Sequence, residues 1–193
     1  MVATPPVRAG LKFDGGQRFM IMPTAESCPK AATHPAACRY PLLLRPATHD
    51  DEELLRQLYA STRLAELEDY GWDTRQQQAF LDLQFRAQRE QYRFAYPSAD
   101  NKIITMNNCP IGRLLVNRGV LEFRLIDITL LPEHRGACIG TLLIQELLTE
   151  ATAAGKPVRL HVFRSNPAKR LYERLGFCNT GDDGTYLEML WVP

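Results

Sequence analysis

A chain of 193 residues with 45% hydrophobic and 23% charged residues holds enough apolar material for one buried core and about one ordinary domain. Its formal net charge of +1 gives no electrostatic reason to expect nucleic acid or an anionic membrane as a partner. No run of about 18 apolar residues is present to span a bilayer. The N-terminus lacks the basic, apolar and small-residue succession of a secretory signal. Five scattered cysteines (Cys28, Cys38, Cys109, Cys138, Cys178) show neither C-x-x-C nor zinc spacing, so free thiols in a reducing cytoplasm and no metal site are expected.

Residues 1–39 carry prolines, a Gly-Gly pair and no apolar period, and read as a flexible leader before a domain over 40–193. Pro41 to Arg45 suits a first strand. Thr48 with Asp51 is a relative of the capping box, and Leu54, Leu55, Leu58 and Tyr59 follow at helical spacing. Asp69 to Asp73 breaks that period, and a second helix runs from about Arg75 to before Pro97. Ile103–Met106 and Ile111–Val116 are strands separated by Asn107-Asn108, and Asn117-Arg118-Gly119 turns the chain into a long strand over Leu121–Leu131. Ile139, Leu142, Leu143 and Leu147 mark a helix stopped at Gly155. Val158–Phe163 is a strand, Ser165-Asn166-Pro167 opens another helix, and Asp182-Asp183-Gly184 separates two final strands. The predicted order is β-α-α-β-β-β-α-β-α-β-β.

Chemistry concentrates where the long strand enters Pro132-Glu133-His134-Arg135-Gly136-Ala137-Cys138-Ile139-Gly140-Thr141 and then a helix. Small residues at a helix N-terminus expose backbone N–H groups, the helix dipole adds positive character, and Arg135 adds a cation suited to phosphate oxygens. No Lys precedes Thr141, which excludes a P-loop, and the G-x-G-x-x-G spacing of dinucleotide folds is absent. Alone, the same residues describe a tight strand-to-helix turn equally well.

This loop is similar to the acetyl-CoA loop of the GNAT superfamily, with pattern (Q/R)-x-x-G-x-(G/A). Asn166-Pro167-Ala168-Lys169-Arg170-Leu171-Tyr172-Glu173-Arg174-Leu175-Gly176-Phe177 likewise resembles the family's N-x-x-A-x-x-L-Y-x-x-x-G-F. The likeness covers about residues 40–193, and the strand and helix order agrees with it. It implies an α/β (α+β) fold with a central mixed, mostly antiparallel sheet flanked by helices. It also implies an N-acetyltransferase that moves the acetyl group of acetyl-CoA, a co-substrate, to a primary amine of a small molecule or protein by direct attack in a ternary complex. No metal is implied, nor a nucleic acid or membrane partner; a cytoplasmic location is expected and a homodimer is left open.

Residue by residue, the resemblance places Ile128, Thr129 and Leu130 beside pantetheine, with the Leu130 N–H on the thioester carbonyl. It sets the phosphates on Arg135, Gly136, Ala137, Cys138, Ile139, Gly140 and Thr141. Cys138 departs from the pattern by standing where the family has its first Gly, and a thiol at a helix N-terminus can be reactive. Tyr172 matches the tyrosine that protonates the CoA sulfur, and either Ser165 or Asn166 matches the pantetheine-side Asn. The family often carries a carboxylate base on the fourth strand, at positions held here by Ile126 and Arg124; Asp127 is expected on the opposite face because side chains alternate. His161, where some members have a Glu on the fifth strand, becomes the candidate base.

For the acceptor, Glu68, Tyr70 and Trp72 would suit a cationic amine, whereas Arg124 would suit one bearing a carboxylate. Acid and aromatic residues there also describe a solvated helix end with one packed Trp. The competing function, drawn from Cys138 and the missing carboxylate, is a non-catalytic acyl-CoA-binding module.

Overall fold

The computed structural model describes residues 41–67 and 71–193. The expected leader over residues 1–39 lies outside them, as do Glu68 and Tyr70. Strands β1 (Leu42–Pro46), β2 (Asp100–Met106), β3 (Cys109–Arg118), β4 (Phe123–Leu130), β5 (Val158–Phe163), β6 (Cys178–Asp182) and β7 (Tyr186–Trp191) alternate with five helices: α1 (Glu52–Ser61), α2 (Leu64–Leu67), α3 (Thr74–Ala95), α4 (Ile139–Ala154) and α5 (Lys169–Arg174). They form one seven-stranded sheet in the order β1-β2-β3-β4-β5-β7-β6. All its pairs are antiparallel except β4 with β5. This is the mixed, mostly antiparallel α/β sheet that the sequence predicts, with the short α2 as an addition.

Local chemistry explains the element ends. Asp51 accepts the Thr48 backbone N–H at 2.8 Å and is gripped by both terminal nitrogens of Arg45 at 2.7 and 2.6 Å, fixing the entry to α1 on the end of β1. Asp73 caps α3 by accepting the Gln76 N–H at 2.8 Å, and the Gln76 side chain returns the bond to the Asp73 N–H at 3.0 Å. Gly155 ends α4 with φ of 61°, a left-handed conformation that glycine adopts without steric cost. The expected Asn117-Arg118-Gly119 turn instead lies one step later, because Asn117 and Arg118 still pair with Arg124 and Phe123. Arg118 is held there by Asp100 at 2.7 Å and Glu150 at 2.6 Å.

Helices cover the two faces unequally. Arg113, Asp127 and Thr129 of β3 and β4 lie beneath Leu55, Leu58 and Tyr59 of α1 and Phe85 of α3. Alternation sends Leu114, Ile128 and Leu130 to the other face, into the core that holds Ile139, Leu143, Ile144 and Leu147 of α4 and Tyr172 of α5. A smaller cluster of Tyr59, Leu67, Leu81 and Phe85 ties α1, α2 and α3 together. Among the described residues no helix is long and apolar enough to cross a membrane, and no His, Cys, Asp and Glu group is arranged to hold a metal.

At Gly112 of β3, the neighbouring β4 leaves no room for a side chain. A Cβ there would stand 2.5 Å from the Thr129 carbonyl oxygen and 2.6 Å from Leu130 Cδ2. The backbone oxygen cannot yield without disturbing the ladder. Gly112→Ala is expected to lower unfolding stability by about 1–3 kcal/mol, the usual cost of overpacking, read as a lower urea midpoint with an unchanged slope.

Candidate active site

The parallel pair at the centre of the sheet is short. β4 and β5 are paired only at Phe123–Val158, Arg124–Arg159 and Leu125–Leu160. Past that point β5 continues against β7 as far as Phe163–Tyr186, while β4 continues against β3 as far as Leu130–Gly112. The two strands therefore splay, and among the described residues β4 has no strand beside its inner edge there. The register shows which groups face that edge. Leu131 donates its N–H to Ile111 at 2.9 Å, so the alternation of an antiparallel ladder turns Thr129 toward β3 as well. Ile128 and Leu130 then aim their N–H groups into the splay.

Beyond β4, residues Pro132–His134 form a 3-10 turn and Arg135–Cys138 lead into α4. The first turn of α4 has no side-chain cap and no acidic residue, so the N–H groups of Ile139, Gly140 and Thr141 project from the positive end of a 16-residue helix. The strand, small-residue turn and uncapped helix start follow one another as the sequence predicts. Gly136 and Cys138 both have positive φ, 77° and 58°. Glycine accepts that conformation freely and cysteine does not, which explains why the loop pattern asks for Gly at 138. Cys138 is disulfide-bonded, whereas Cys109 and Cys178 are free. The expectation of free thiols therefore fails at 138, since scattered spacing does not reveal which cysteines folding brings together.

Arg135 does not simply face outward. Its Nε donates to the Leu130 carbonyl at 2.9 Å and its Nη2 to Ser61 Oγ, at the end of α1, at 2.6 Å. Burial lowers its pKa from the ordinary value. The sequence offered no sign of this link, because Ser61 lies 74 residues away.

Tyr172 lies on α5 with its ring edge-on to Phe177, centroids 5.6 Å apart. Its hydroxyl is buried with no hydrogen-bond partner among the described residues. Desolvation, with a smaller push from the Asp127 carboxylate, raises its pKa well above the ordinary value, so it is a neutral phenol with a proton to give. Asn166 closes the turn into α5: its side-chain oxygen accepts the Ala168 N–H at 2.9 Å. Ser165, the other sequence candidate, is exposed.

On the far side of the splay, His161 and Arg124 stand together, with Nδ1 3.4 Å from Arg124 Nη1. A guanidinium only donates, so this contact is a hydrogen bond in the tautomer whose Nδ1 accepts and whose Nε2 carries its hydrogen toward Glu188, 3.8 Å away. In that tautomer neither ring nitrogen offers a lone pair to a substrate ammonium. Burial and the charge of Arg124 also lower the His161 pKa. Arg124 in turn meets Glu122 at 3.0 Å, so its charge is already matched. Trp72 packs edge-on against Phe80 at 5.1 Å, the packed tryptophan of the blander expectation.

The expectation for Asp127 needs correction. Leu115 pairs with Asp127 but Val116 with Leu125, so β4 carries one extra residue, Ile126, at that step. Such a bulge breaks alternation and brings Asp127 to the same face as Arg124. Asp127 is buried there, accepting from Thr129 Oγ1 at 2.7 Å and lying 3.3 Å from Arg113 Nη1.

The strain at Cys138 can be measured. In reducing buffer, Cys138→Gly is expected to raise unfolding stability by about 1–2 kcal/mol, the cost of a left-handed backbone at a non-glycine residue. A variant no more stable than the reduced parent would show that the loop relaxes once the sulfur is released.

Comparison with known proteins agrees with this geometry. The profile of the Acetyltransferase (GNAT) family matches residues 53–177. A PaiA N-acetyltransferase from Thermoplasma acidophilum, solved in complex with coenzyme A, superposes with a TM-score of 0.59 at 18% identity over 79% of this chain and 99% of that one. An acetyltransferase from Thermus thermophilus gives 0.58 at 19% identity, over 79% and 97%. Over 76 residues the chain is 37% identical to the mouse cysteine-rich protein 2-binding protein, a stretch that is 39% of this chain and 9% of that protein. The family profile spans well over half of the sequence, both of its sequence motifs lie where the sheet splays, and the chain belongs to the GNAT family of acetyltransferases.

Proposed function

We propose that the protein transfers the acetyl group of acetyl-CoA to a primary amine, on a small molecule or a protein, by direct attack in a ternary complex. The observation that carries this reading is the open β4 edge with a buried, partnerless phenol behind it. Unpaired backbone groups inside a sheet and an orphaned buried hydroxyl are both costly unless a ligand completes them. Acetyl-CoA fits both needs, because its pantetheine amides can pair with the β4 edge and its sulfur can accept the Tyr172 proton. Its phosphates suit the uncapped start of α4. The coenzyme A complex of the PaiA relative supports the same occupant.

Acetyl-CoA supplies an activated acyl group with a thiolate as leaving group. The residues of this chain hold it and manage charge and protons. Ile128 and Leu130 turn their N–H groups toward the thioester carbonyl and stabilise the oxyanion as the amine adds. Gly136, Ala137, Cys138, Ile139, Gly140 and Thr141 hold the pyrophosphate, with Arg135 fixing the loop. Thr129 and Asn166 shape the strand and turn that border pantetheine, beside Ser165. Tyr172 protonates the departing sulfur. The acceptor enters from the face of His161 and Arg124, past Trp72; Glu68 and Tyr70, its other sequence candidates, lie outside the described residues.

The test is release of coenzyme A thiol from acetyl-CoA with a panel of amines. Acceptor-dependent release supports transfer; coenzyme A binding without release from any acceptor supports the non-catalytic module, a reading favoured by Cys138 and by Arg124 at a position where the family often has a carboxylate. Tyr172→Phe is expected to reduce kcat by about 10- to 1000-fold with coenzyme A affinity retained. The hydrogen bonds of His161 predict that His161→Ala keeps the rising limb of kcat/KM with pH; disappearance of the limb would restore it as the base.

A further inference from the structure

We infer that the cavity between the start of α1, the last turns of α3 and the β2–β3 ladder is a second ligand site, shaped for a monocarboxylate with a flat apolar body. It stands apart from the cofactor cleft and does not depend on the acetyl-transfer reading. The cavity has a volume of about 520 Å³, within the range of roughly 300–1,000 Å³ usual for small-molecule sites. Its sheet wall is Asn101, Arg113 and Leu115. Among the described residues, none that lines it belongs to β4, α4 or α5, the elements around the cleft.

The shape of the site follows from helical spacing. Phe85, Arg89, Tyr92, Arg93 and Tyr96 fall three or four residues apart along α3, so one stripe of that helix forms a wall. Phe85 and Tyr92 are buried, as is Leu115 opposite them, and Leu55 of α1 completes an apolar floor. The rim is different. His49, Arg93 and Pro97 are exposed there, and Glu52 and Arg89 stand just inside. An apolar floor under a charged rim selects a molecule with one apolar end and one charged end. Flat rings suit the aromatic side chains of Phe85, Tyr92 and Tyr96.

Charge sets the other end of the ligand. Three guanidinium groups line the cavity, from Arg89, Arg93 and Arg113, against the single carboxylate of Glu52. Glu52 is spent on Arg89, 2.9 Å from its Nη1. Arg113 is matched by Asp127 at 3.3 Å, behind the sheet wall, and its Nε donates to Asn101 at 2.8 Å. Arg93 meets no carboxylate among the described residues. It lies one turn beyond Arg89 on the same stripe, so a carboxylate between the two can accept from both planar guanidinium groups. One uncompensated cation calls for one negative charge. A dianion would face Glu52 across the rim, and a bare phosphate would lose hydration over the apolar floor and gain nothing there.

The experiment titrates the full chain with 2-naphthoate, with its neutral isostere 2-naphthamide, and with 2-naphthyl phosphate, each with and without saturating coenzyme A. One naphthoate is expected per chain, at an affinity that coenzyme A leaves unchanged. Naphthamide should bind about 10-fold more weakly, the worth of a hydrogen bond to an ionised group, and the phosphate no more tightly than naphthoate. Arg93 is exposed on a helix, so Arg93→Glu is expected to fold, keep its coenzyme A affinity and lose about 5- to 10-fold in naphthoate affinity while binding naphthamide as the parent does. Arg89→Gln, which also releases Glu52 to repel the anion, should weaken naphthoate further. Absence of saturable naphthoate binding, equal affinity for naphthamide, or unchanged naphthoate affinity in either variant overturns the inference. Displacement by coenzyme A overturns it too, by placing naphthoate in the cofactor cleft, and tighter binding of the phosphate overturns the assignment to a monocarboxylate. None of these results touches acetyl transfer, whose own failure is coenzyme A binding without release from any acceptor.

Discussion

Parting of β4 from β5 after Leu125 and Leu160 is the constraint on which the rest of the site depends. A sheet stabilises its strands by pairing every inward backbone group, so a gap at its centre must be propped open from both sides. Here β3 holds β4 along its full length, β7 holds β5, and apolar side chains of α4 and α5 fill the space behind. The gap is thus a property of a rigid scaffold. A ligand that enters it meets donors already aimed, and aligning them costs no reorganisation when charge develops.

The bulge at Ile126 belongs to the same design. An extra residue in β4 sharpens its local twist just where the pairing with β5 ends, and it re-aims the residues on either side. Arg124 and Asp127 come to one face, where regular alternation would separate them. One irregularity therefore stands where the pairing of β4 with β5 ends and sets which polar groups share a face.

Much of this was legible in the sequence. The element order followed from period changes and turn residues, and the strand, turn and helix start around Arg135–Thr141 were readable because their signals are local. Tyr172 was legible through the motif around it. What stayed hidden was nonlocal. A bulge leaves no mark in an apolar run such as Leu125–Ile128, so the face of Asp127 was misassigned. The contact between Arg124 and His161 joins two strands across the sheet, and neither residue's neighbours announce it. The disulfide at Cys138 could not be read from spacing alone.

The Arg135 bridge ties two regions that would otherwise answer to different ligands. One end of its guanidinium holds the carbonyl of the last β4 residue, and the other holds the hydroxyl that finishes α1. Any force that pulls Arg135 toward a phosphate must weaken its hold on Ser61, and any movement of the end of α1 must alter the loop. By thermodynamic reciprocity, two ligands bound at these two ends would carry a shared coupling energy of one sign and size, whichever arrived first. That coupling, equal in either order of arrival, would run through a single side chain.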